Sequence, residues 1–78
     1  MNKSTRDAIK GEIGILKKVA DKIEDIKYRE EEKLDSIPEN LSSGSIYRQI
    51  EEAIENLEDA LEYVDMAIES LESANENN

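Results

Sequence analysis

The stretch Ile50–Asn77 reads in sevens as IEEAIEN, LEDALEY, VDMAIES and LESANEN. The first position is Ile50, Leu57, Val64 and Leu71, and the fifth is Ile54, Leu61, Ile68 and then Asn75. The fourth is alanine throughout: Ala53, Ala60, Ala67 and Ala74. Apolar residues at this spacing fall on one side of a helix and leave a stripe wider than a two-position coiled-coil seam. The expected helix–helix seam is therefore Ile50, Ala53, Ile54, Leu57, Ala60, Leu61, Val64, Ala67, Ile68 and Leu71. Alanine at every fourth heptad position lets a neighbouring helix axis come closer than leucine would.

A second apolar period lies upstream. Ile9, Ile13, Leu16, Ala20 and Ile23 recur at intervals of 4, 3, 4 and 3, and Val19 and Ile26 widen the stripe. Ser4 and Asp7 have capping-box spacing just ahead of it. Lys27 and Glu30 occupy stripe positions, and Leu34 and Ile37 restore apolar character. Pro38 cannot continue a helix, and it pushes Ile37 toward extended backbone. Ser42, Ser43 and Ser45 offer N-cap oxygens beside the permissive Gly44. These signals place helix 1 at about 5–35, a turn at about 36–44, helix 2 at about 45–74 and a polar tail at 75–78, in one domain. Ile37 and Leu41 are expected to fold back over the end of the core. Gly11 and Gly14 lie away from the stripe; they are either merely tolerated or mark the close approach of another backbone.

Two helices of similar length joined by a short loop form an antiparallel hairpin. The fold class expected is all-α, a coiled-coil-like two-helix hairpin. A domain this small rarely holds more than about 3–5 kcal/mol from its own core. One hairpin also leaves much of a wide stripe wet. A homodimer forming a four-helix bundle closes that core; a host protein covering the open face is the other solution.

Composition narrows function by exclusion. The 78 residues include no cysteine and no histidine, and the net charge is -10. No disulfide, thiolate nucleophile or histidine-based metal site can be built. Paired carboxylates need a pocket to shift their pKa values before they act as acid and base, and a thin hairpin offers none. No catalytic residue, metal ligand or cofactor is expected. No apolar run approaches the roughly 20 residues of a membrane span, and the N-terminus has no apolar leader core. The expected location is the cytoplasm.

Charge is unevenly spread. Residues 1–33 hold nine of the ten basic residues against eight acids, whereas residues 34–78 hold Arg48 alone against twelve acids. That imbalance opposes direct binding of nucleic acid or anionic membranes. Glu51, Glu55, Glu58, Glu62, Asp65 and Glu69 are the core of an acidic rail on helix 2. Glu51/Glu55, Glu58/Glu62, Asp65/Glu69 and Glu72/Glu76 are like-charge i,i+4 pairs, each costing about 0.2–0.5 kcal/mol of helix stability. Either the rail only maintains solubility, or it is a surface for a partner with a basic, nucleic-acid-binding groove. Tyr63, Met66 and Ser70 lie on an uncharged flank, which is either a core edge or a contact with a partner or second protomer.

The run Ile37-Pro38-Glu39-Asn40-Leu41, followed by Glu/Ala-rich heptads, resembles small acidic helical-hairpin proteins of Gram-positive bacteria and their phages and prophages. The similarity spans about residues 23–74, with the turn as its most specific part. It implies a mobile-element context. By analogy it implies an inhibitor that blocks a host defence or nucleic-acid-processing protein. A structural or adaptor module, and an oligomer sequestering a small ligand, are the alternatives.

Overall fold

A computed structural model describes residues 1–76. Helix α1 spans Lys3–Asp35 and helix α2 spans Ser45–Glu76, with a short 3-10 turn at Glu39–Leu41 between them. The two helices pack side by side along their lengths. The molecule measures 60 × 15 × 13 Å, with a radius of gyration of 17.7 Å. A globule of this length would have about 11.5 Å, so the hairpin is a single layer rather than a closed core.

α1 begins two residues earlier than the capping-box spacing suggests. Asn2, not Ser4, is the N-cap, and its side-chain oxygen accepts the Thr5 N–H at 2.9 Å. Asn and Ser cap about equally well, and the earlier start lets Lys3 pair with Asp7 at 2.9 Å one turn on. At the other end the Ser36 N–H donates to the carbonyls of Glu32 and Lys33, and its hydroxyl donates to Lys33. Pro38 follows, and helical pairing stops. The Ser42 hydroxyl closes the 3-10 turn on the Glu39 carbonyl at 2.8 Å instead of capping α2. Gly44 donates to Leu41 O at 3.0 Å, and a Cβ at Gly44 would sit 3.2 Å from that oxygen. Glycine is used here for close approach. α2 continues through Asn75 and Glu76, which the sequence places in the tail; Asn77 and Asn78 lie outside the described residues.

The residues that face across the hairpin are the apolar period of α1 and the first and fifth heptad positions of α2. Ile9, Ile13, Leu16, Ala20, Ile23 and Leu34 are half-buried, as are Lys27 and Glu30. On α2, Ile50, Ile54, Leu57, Leu61, Val64 and Leu71 are half-buried, and Ile68 is buried at 8% exposure. Among the described residues, Ile68 alone reaches that burial. Of the alanine row, Ala53, Ala60 and Ala74 are half-buried like the other seam residues, and Ala67 is exposed. Each alanine precedes a first- or fifth-position residue by one position, about 100° around the helix, so the row forms one edge of the seam. Leu41 is also a correction: Ile37 is half-buried, but Leu41 is 55% exposed and does not cover the core.

The polar seam residue Asn75 has a partner. Its amide donates to the Arg6 carbonyl at 3.3 Å, tying the end of α2 to the start of α1. Its side-chain oxygen is buried without a hydrogen bond.

Candidate functional site

Antiparallel packing decides which residues of the two helices share a face. Seen from one end, α1 turns clockwise and α2 counter-clockwise, because they run in opposite directions. The residue after each seam position on α1 therefore points to the same side as the residue after each seam position on α2. The residue before each seam position points to the opposite side on both.

The first side is acidic. α1 places Lys10, Lys17, Asp21, Glu24, Glu31 and Asp35 there, with Gly14 and Tyr28 between them. α2 places Glu51, Glu55, Glu58, Glu62, Asp65, Glu69, Glu72 and Glu76 there. With the seam residue Lys27, which also lines this side, three cations stand against twelve carboxylates, a balance of -9. These columns line one open groove, where Asp21 and Glu24 meet Glu58, Glu62, Asp65 and Glu69 over a floor of Ala20 and Leu61. Lys17 and Glu72 extend it toward the chain ends. Lys27 is the cation in the groove, with its ammonium 3.8 Å from Glu24.

All six carboxylates expected on the rail are exposed. Glu58, Glu62, Asp65 and Glu69 line the groove, while Glu51 and Glu55 continue the column toward the turn. Asp21 and Glu24 were not anticipated. They follow Ala20 and Ile23 by one residue, and that offset is the signal that would have found them once the pairing was known to be antiparallel. Successive rail acids rise on average about 5 Å along the helix. Among the described residues no group of three carboxylates is placed to hold a metal ion. No helix of the described residues is long and apolar enough to cross a membrane.

The uncharged flank divides. Met66 lines the acidic groove with Glu62, Asp65 and Glu69. Tyr63 and Ser70 each precede a seam residue, so they fall on the other side with the alanines. There α2 presents Gln49, Ala53, Asn56, Ala60, Tyr63, Ala67, Ser70 and Ala74, without a charge. α1 presents Ile15, Val19 and Ile26 around Lys22, with Glu12, Arg29 and Lys33 toward the ends.

Compared with protein-family models, curated proteins and solved structures, the chain matches none. The reading of its function rests on the two faces.

Proposed function

We propose that this is a non-enzymatic binding protein whose acidic face occupies the basic groove of a nucleic-acid-processing or defence protein, and that it works as a homodimeric four-helix bundle. The observation that carries this is the convergence of Asp21 and Glu24 with Glu58, Glu62, Asp65 and Glu69 along one groove. A rail on one helix is a stripe of charge. Carboxylates from two helices on one face make a field broad enough to oppose a groove that binds a polyanion, with fast and salt-sensitive association. The rail opposes helix stability, and local conflicts of that kind mark functional surfaces. We place that inhibitor in Gram-positive phages and prophages on the resemblance of the Ile37–Leu41 turn and the heptads that follow it.

The test is capture of partners from a Gram-positive bacterial lysate on immobilised protein, with duplex DNA as competitor. The expected result is capture of a basic protein in about 50 mM salt, its release by DNA or about 0.5 M salt, and its loss when Glu58, Glu62, Asp65 and Glu69 are changed to lysine. Capture indifferent to salt, DNA and charge reversal, with helicity retained, overturns the mimic and favours an adaptor module.

A further inference from the structure

We infer that the side of the hairpin opposite the acidic groove is the surface on which a second copy of this chain packs. This rests on the dimeric reading above and says where and how the two copies meet. Ile15, Val19, Ile26 and Tyr63 remain 54%, 37%, 42% and 67% exposed. Antiparallel pairing sets Val19 and Ile26 beside the alanine row, on one continuous strip. A lone hairpin, in which Ile68 alone among the described residues is buried, leaves that strip in water, and covering it is favourable.

Charge identifies the occupant. The acidic faces of two copies repel each other. A basic partner has no carboxylate to pair with on the α2 half of this strip, which carries no charge. A second copy meets neither difficulty: a two-fold axis through the strip sets the α1 half of each copy, with its Lys22, Arg29, Lys33 and Glu12, on the uncharged α2 half of the other, which keeps like charges apart and makes the contact self-complementary. Ala60 and Ala67 let the facing helices approach closely, while Ile15, Val19 and Ile26 close over the gap. Size agrees. A face 60 Å long and 15 Å wide projects about 900 Å², and a stable interface needs about 800 Å² from each partner. The arrangement turns both acidic grooves outward, in opposite directions.

Ala67→Glu and Tyr63→Lys test this in the full chain. Both positions are exposed in the hairpin, so neither substitution disturbs the seam. The two changes have opposite charge, so a shared effect reports burial and not sign. Sedimentation equilibrium should show a wild-type mass twice the 8.9 kDa of the chain at micromolar concentration. Each variant should weaken the dimer by on the order of 100-fold, because an unpaired charge is buried at the interface. The helical circular dichroism signal, read in parallel, should persist. Should either variant lose its helix, the other and the wild-type mass still decide. A monomeric wild type, including one that joins only a different protein, overturns both this inference and the dimer. A wild-type dimer that both variants leave intact overturns this face alone. Neither outcome bears on partner capture by the acidic groove.

Discussion

Gly11 and Gly14 provide the sharpest test of how α1 is built. Both lie inside a 33-residue helix, and both are exposed. A Cβ added at either would meet nothing within 4 Å. No described glycine has a positive φ, so neither conformation is one that alanine avoids. Replacing glycine by alanine in an exposed helix interior stabilises by about 0.8–1 kcal/mol, because the unfolded glycine chain has more freedom to lose. The two added methyls stand one helical turn apart and are too small to interact strongly, so the double variant should gain about 1.6–2 kcal/mol. At roughly 4–8 °C per kcal/mol for a domain of this size, Tm rises by about 6–16 °C.

Thermal unfolding followed by circular dichroism is the assay. Protein concentration must be held fixed, because a dimer's Tm depends on it. Amide exchange supplies a local check: protection should rise over residues 5–15, where two glycines one turn apart let the first turns open, and stay constant in the middle of α2. The sequence alone allows a second explanation, that the glycines admit another backbone. A Tm that falls, with weaker self-association, would establish that explanation. It would also refute the placement of the interface on the alanine side, since Gly14 lies on the acidic side of α1, Gly11 on its outward side, and neither on the alanine side.

Two further perturbations probe the ends and the rail. Asn75→Leu completes the column of Ile54, Leu61 and Ile68 and removes a buried, unpartnered oxygen; stability should rise by about 1 kcal/mol in urea unfolding, and a loss instead would show that the bond to the Arg6 carbonyl holds the open end. Screening of the four like-charge pairs on α2 should recover part of about 0.8–2 kcal/mol; a Tm unchanged between about 10 mM and 0.5 M NaCl would show that the pairs do not strain the helix.

Both helices and the hairpin were legible in the sequence, because each rests on a constraint with few alternatives. A heptad period sets one apolar side, and Pro38 removes a donor and clashes with the turn before it. What was less legible lies where neighbouring residues are chemically equivalent or where a face depends on its partner. Asn2 and Ser4 cap equally well, so the start of α1 shifts by two residues. Every alanine fits a seam by hydropathy, yet alanine is too small to reveal whether it faces a helix or stands beside one; Ala67 stands beside one. Tyr63 and Met66 differ by about 60° around α2. That angle crosses the boundary between two faces that exist only once α1 is in place. Asp21 and Glu24 were hidden for the same reason: read on α1 alone they are two acids among many cations.

In the proposed dimer, the segregation of the faces lets an acidic rail and self-association coexist in so small a chain. Two copies bring -20 together, from -10 each, and repulsion falls with distance and with screening over about 8–10 Å at physiological salt. Packing through the side opposite the rail puts both hairpins, each about 13–15 Å across, between the two acidic columns. Most of the repulsion is then screened before it reaches the interface. Packing through any side that includes the rail would not achieve this. The same separation gives salt opposite effects on the two surfaces: added salt tightens the dimer slightly by screening what repulsion remains, and weakens attraction between the groove and a basic partner. A stripe of acids spread evenly around α2 would keep the chain equally soluble, but it would couple those two effects. Beyond solubility, the proposed partner contact gives a reason for all eight carboxylates of the α2 column to stand on one side of the hairpin, with Asp21 and Glu24 of α1 beside them.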